Sequence, residues 1–198
     1  MTNKLTLADI KNLVEYEKVR ERMRAEIIAL KQRRRVPLGE NLTLLFENRE
    51  TVLYQIQEMA RTERIVDDAK LQEEIDAYAA LLPDEHELSA TLFIEIPGIA
   101  MLPPAEARTA VNRFQGIDDG VLFLELGKHR IPARFEGGHS KEEKLAAVQY
   151  IRFALQSEAK EALADPAQPA RLTIAHPRYE AEQALGAEVR QQLLRDLA

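Results

Sequence analysis

Cysteine and tryptophan are absent from the 198 residues, and there are only eight glycines. Without cysteine the chain alone can build no disulfide framework, no zinc ribbon and no cysteine-held iron–sulfur cluster, and it has no thiol nucleophile. Gly137–Gly138 stands alone, and no Gly-rich phosphate loop occurs. The GxSxG elbow and the HExxH helix motif are also missing. Ser89 and Ser140 have no His and Asp at a recognisable spacing, which argues against a nucleophilic enzyme. No apolar run approaches the roughly 20 residues of a membrane span. The opening stretch lacks the apolar core of a signal peptide, so the expected location is the cytoplasm. Lys and Arg total 27 against 33 Asp and Glu, a net charge of −6. That balance argues against general nucleic-acid binding, where basic surface supplies the affinity.

What is present reads as alternating helical and extended segments. Thr6 and Asp9 suit a capping box opening a short helix over Leu7–Leu13. Tyr16, Val19, Met23, Ile27 and Leu30 form the stripe of a longer helix to Arg35, ended by Pro37 and Gly39. Asn41–Phe46 reads as a buried strand. Asn48 then caps a helix over Arg49–Arg64. Asp67 or Asp68 caps another, with Leu71, Ile75, Tyr78 and Leu82 inward, before Pro83. Leu88–Ile96 alternates as a strand. Pro103 and Pro104 suit the first turn of a helix carrying Ala107, Val111 and Phe114.

Val121–Leu126 and Arg130–Phe135 form a hairpin around Gly127, Lys128 and His129, with Pro132 placing the second arm at a sheet edge. Ala146–Leu155 fits both periods. Its aromatic content favours a strand, preceded by one helical turn opened by a capping box of Ser140 and Glu143. A helix over Ser157–Ala164, a strand over Arg171–His176 and a helix over Ala187–Leu197 follow, with Asp165–Ala170 as a loop. The expected architecture is α+β: one domain over 1–198, with a helical segment over 1–36. A single, mostly antiparallel sheet of about five or six strands with packed helices would span 40–198.

The Arg49–Arg64 helix carries the main anomaly. At 100° per residue, Val52, Leu53, Ile56, Met59 and Ala60 cluster around Arg49, and Glu63 falls at about 320° on the same side. Glu47 ends the preceding strand, and Gln55 and Gln57 flank the stripe. Buried charges need partners, so Arg49 is expected to pair with Glu47 or Glu63. Two readings follow: structural ion pairing at the helix ends, or a site where Arg49 grips a carboxylate or phosphate near a helix N-terminus. The basic run Lys31–Arg35 fits a helix C-terminus, where the dipole favours cations, or recognition of an acidic partner. His86, His139 and His176 are the candidates for a metal site, which would need distant carboxylates to converge on them. His129 reads as a turn residue.

The stretch RRRVPLGENLTLLFENRETVLYQIQEMARTERI resembles the signature of the uncharacterised "domain of unknown function" family number 3501. ELSATLFIEI, AAVQYIRFAL and HPRY agree with that family in type and order. The matching residues are Asn41, Glu47, Asn48, Arg49, Gln55, Gln57 and Glu58. The resemblance implies a setting rather than an activity: bacterial members tend to be encoded beside rubrerythrin-like proteins and iron–sulfur oxidoreductases. On it the chain is expected to be a cofactor-free accessory or partner protein in redox or peroxide handling. The ligand or partner site would lie at Glu47, Asn48, Arg49, Gln55, Glu58 and Glu63. A histidine/carboxylate metal protein or enzyme and a sensor of a phosphate- or carboxylate-bearing ligand remain open, as does a homodimer.

Overall fold

A computed structural model describes residues 4–136 and 145–197. The turn and capping box expected over Ser140–Glu143, Gly137–Gly138 and His139 lie outside the described residues.

Thr6 and Asp9 do form a reciprocal capping box, with Thr6 N–H donating to Asp9 Oδ2 at 2.9 Å, but only a 3-10 turn over Leu7–Asp9 follows. Asn12 interrupts the expected first helix by capping α1 (Leu13–Gln32), its Oδ1 accepting Glu15 N–H. This long helix thus starts before Tyr16 and stops short of the expected end at Arg35. Arg35–Leu38 is a strand, β1, paired with β2 (Leu42–Glu47). Asn48 caps α2 (Arg49–Glu63) and trades hydrogen bonds with Thr51. Asp67 caps α3 (Asp68–Ala79) by accepting Lys70 N–H.

The later elements are β3 (Glu87–Ile94), α4 (Pro104–Asn112), β4 (Leu122–Leu126), β5 (His129–Pro132) and β6 (Arg134–Phe135). After them come β7 (Val148–Ala154), α5 (Ser157–Ala164), β8 (Ala170–His176), β9 (Tyr179–Ala184) and α6 (Ala187–Asp196). Ala146–Leu155 thus resolves as a strand.

Among the described residues the strands build two antiparallel sheets, not one: five strands in the order β1-β2-β3-β7-β6, and four in the order β5-β4-β8-β9. The cause is local. The expected second hairpin arm breaks at Ala133: His129–Pro132 pairs with β4, whereas Arg134 and Phe135 pair with β7. Pro132 does lie in an edge strand, as its missing N–H requires.

The inner faces of both sheets share one core. Leu44, Phe46, Leu88, Leu92, Ile151 and Phe153 meet Leu122, Leu124, Leu126, Leu172 and Ile174, and Phe114, Leu163 and Leu193 close it. One seam, between β1 and β9, is bridged by Tyr179, whose hydroxyl donates to Leu38 O at 2.8 Å and accepts Asn41 N–H at 3.1 Å. A second cluster, Leu5, Val52, Ile56, Ile75, Leu81 and Leu82, has Tyr150 of β7 packed against it. Tyr150 alternates with the core residue Ile151, so this cluster covers the opposite face of the five-stranded sheet. That sheet is buried on both sides around β2, which puts the end of β2 inside the protein. Among the described residues no helix is long and apolar enough to cross a membrane.

Candidate functional site: the β2–α2 junction

Glu47 closes β2 on the face turned to α2 and is 1% exposed. Its Oε2 accepts the Thr51 hydroxyl at 2.5 Å and its Oε1 the Thr91 hydroxyl at 2.7 Å. Its carbonyl accepts Arg34 Nη2 at 3.1 Å. Arg34, fully buried, also donates from Nε to Phe46 O at 2.7 Å and from both terminal nitrogens to the Asp196 carboxylate on α6. Burial pushes the Asp196 carboxyl above its ordinary range, and the Arg34 guanidinium and the Asn48 side chain pull against that rise. Within the basic run, Arg34 is therefore an internal clamp that ties α6 to the junction, rather than part of a solvated helix end. Arg35 pairs outward, with Glu95 at 2.7 Å, over the Phe93 ring.

Arg49 pairs with neither Glu47 nor Glu63. Its Nη2 donates to Asp9 Oδ1 at 2.5 Å, because Glu47 turns inward to the two threonines while residues 5–11 run past the helix start. Asp9 is held below the usual carboxylate range, first by the Thr6 backbone N–H and then by Arg49. Glu63 is exposed. The buried face of α2 ends at Ala60, and the chain leaves through Arg64 in the left-handed region (φ 54°). There Glu63, Arg64, Asp67 and Lys70 line a recess of about 260 Å³.

Gln55 is half-buried, and its Oε1, itself buried, accepts no hydrogen bond among the described residues. Gln57 is 1% exposed. Its Oε1 accepts Lys11 N–H at 2.9 Å and its Nε2 donates to Lys11 O at 2.8 Å. Glu58 faces α1. It accepts the Tyr16 hydroxyl at 2.5 Å and a two-point contact from Arg20 at 2.8 and 2.9 Å. Arg20 and Tyr16 hold the Glu58 carboxyl below its ordinary range against desolvation, while burial and then Glu58 push the Tyr16 hydroxyl up. Asn41 lies apart from the junction, bonded to Arg113 and to Glu95 O.

The histidines stay separate from this junction. His176 is buried with both ring nitrogens on backbone: Nε2 lies 2.9 Å from Gln115 O, and Nδ1 accepts Arg178 N–H at 3.2 Å. His86 is exposed, 3.0 Å from Lys160 Nζ. Among the described residues no three His, Asp or Glu side chains are grouped to hold a metal ion. A recess of about 440 Å³ is lined by Asp84, Glu87, Arg134, Phe135, Glu136 and Arg152. Its arginines are already paired, Arg134 with Glu87 and Arg152 with Glu87 and Glu136.

Sequence reasoning did not bring Arg34, Asp196 and Asp9 to this junction. Arg34 carried a signal: it shares the inward parity of Val36 and Leu38, which becomes legible once Arg35–Leu38 is read as a strand. Asp9 lies 40 residues from Arg49, and no local pattern links the two.

Two antiparallel sheets on one core, with a polar strand–helix junction whose Arg49, Gln57 and Glu58 bond to other stretches of the same chain, define an α+β protein. The chain belongs to the protein family of unknown function designated DUF3501, whose model matches residues 4–197. It is similar to a solved protein of unknown function from Burkholderia pseudomallei K96243, with 34% identity and a TM-score of 0.88. That likeness covers 98% of this chain and all of the other. No curated protein matches the chain.

Proposed function

We propose that this is an interaction protein: an accessory component that binds a partner polypeptide. The observation that supports this is the use of the signature side chains. Arg49, Gln57 and Glu58 each grip another stretch of chain, at Asp9, the Lys11 backbone, and Tyr16 with Arg20. These are the contacts by which proteins recognise peptides and helices: charge pairing, amide-to-backbone pairing and a two-point guanidinium.

The partner class comes from the setting that the family resemblance implies, a rubrerythrin-like protein or an iron–sulfur oxidoreductase in the cytoplasm. A chain without cysteine leaves any iron–sulfur cluster to that partner. The test is co-purification of the tagged full chain from its native host, reading iron and visible absorbance of the eluate alongside the protein bands. Recovery of an iron-containing oxidoreductase in fixed ratio supports the reading. Recovery of no redox protein overturns the partner class.

A further inference from the structure

Residues 5–11 lie across α2 and α3 as a bound peptide would. Leu5, 3% exposed, is buried among Val52, Ile56, Ile75, Leu81 and Leu82, and Leu7 and Ile10 pack on the same cluster. Between these apolar anchors Asp9 meets Arg49 at 2.5 Å. Gln57 reads both backbone groups of Lys11 while the Lys11 residue itself stays exposed. A primary amide that accepts one residue's N–H and donates to its C=O recognises extended chain whatever its side chain. The segment joins no strand of either sheet, so its release breaks no ladder. α1 keeps its own attachments to α2 through Arg20–Glu58 and Arg61–Glu17.

We infer that the α2–α3 groove is a peptide-docking site, occupied in cis by residues 5–11. It accepts a partner segment of the same chemistry: apolar side chains spaced as Leu5, Leu7 and Ile10, with a carboxylate at the position of Asp9. This inference rests on the interaction-protein reading and names the surface that would serve it. The cis segment sets the apparent affinity, because a groove open for only a fraction of the time binds in proportion to that fraction.

The test is fluorescence anisotropy with a labelled peptide of residues 2–12 (TNKLTLADIKN) and the full-length chain. Against wild type, the double variant Leu5→Ala with Asp9→Ala is expected to bind the peptide at least about ten-fold more tightly, as the competing cis segment is weakened. If the double variant does not fold, Asp9→Ala alone takes its place. Adding Arg49→Glu is expected to abolish that gain, and a peptide with Asp9→Arg is expected to restore it. Equal binding by wild type and the weakened variant, or failure of the charge-swapped peptide to restore binding, overturns the proposal. Either failure leaves the co-purification result standing, since a partner could bind another face.

Discussion

Two arginines fifteen positions apart show how far burial separates residues of the same type. Arg34 is fully buried and bonds to Phe46 O, Glu47 O and the Asp196 carboxylate. Truncating it takes the guanidinium from two carbonyls and leaves the buried Asp196 carboxylate without its counter-charge. Arg34→Ala is therefore expected to cost about 3–5 kcal/mol of unfolding free energy. Arg49 pairs with Asp9 where the two side chains are 37% and 27% exposed, so Arg49→Ala should cost at most about 1 kcal/mol. Urea denaturation of both variants decides it, and comparable losses would sink the distinction. At this scale the sequence revealed residue types better than partners. Asn48 as a helix cap was readable because its donor lies three residues on. Glu47 was recognisable as a polar residue beside a buried strand, yet its partners Thr51 and Thr91 come from a helix and a different strand. Arg49 looked paired with Glu47 or Glu63 because a local window contains only the strand end and the helix itself, whereas Asp9 comes from elsewhere in the chain.

Elements were legible where period and propensity agree, as in α2, α5, β3 and β8, and illegible where they conflict. Tyr179–Ala184 (YEAEQA) is built from helix-favouring Glu, Ala and Gln, yet it pairs with β8 along its own whole length. β1 hid behind Pro37 and Gly39, which read as breakers, although an edge strand tolerates a proline. Gly39 has a further reason to be glycine. Its φ is 70°, and a Cβ there would run into the Tyr179 hydroxyl and lie 3.1 Å from the Ala181 Cβ. That hydroxyl bridges Leu38 O and Asn41 N–H across the seam between the sheets. Tyr179→Phe is expected to cost about 1–3 kcal/mol, since it leaves a donor and an acceptor unpaired. Gly39→Ala should cost about 1–2 kcal/mol from backbone strain alone, with the collision in addition. The double variant should cost clearly less than the sum, because removing the hydroxyl removes the obstacle to the new methyl. A double-mutant cycle by urea denaturation measures the difference, and strict additivity would refute the seam argument.

For the molecule as a whole, the α+β class was legible and the division into two sheets was not, because strand patterns give faces and leave partners open. The chain passes from one sheet to the other at Ala133, and a one-residue change of direction leaves little trace in composition. The charges that knit the elements together give the whole protein a common pH response. Glu58 is held below its ordinary carboxyl value of 4.5, chiefly by Arg20, and Glu125 chiefly by Arg171. Asp9 is held below 3.8 by the Thr6 N–H and Arg49. A carboxyl with a depressed folded pKa contributes stability that is fully present above its unfolded value and is lost as pH falls through the folded one. These three therefore stabilise the fold above pH 4.5 and surrender that stability as acid carries the solution below it. Asp196 works the other way: raised by burial above 3.8, it favours the fold as pH falls through its own range. With three groups against one, the urea midpoint should hold level from neutral pH to weak acid and then drop steeply. Glu58→Gln joins α1 to α2 without a titrating carboxylate. It should lower the midpoint at pH 7 and flatten the drop below pH 4.5, so that the two curves converge in acid. Parallel curves across that window would mean that the Arg20–Glu58–Tyr16 cluster does not couple proton binding to folding.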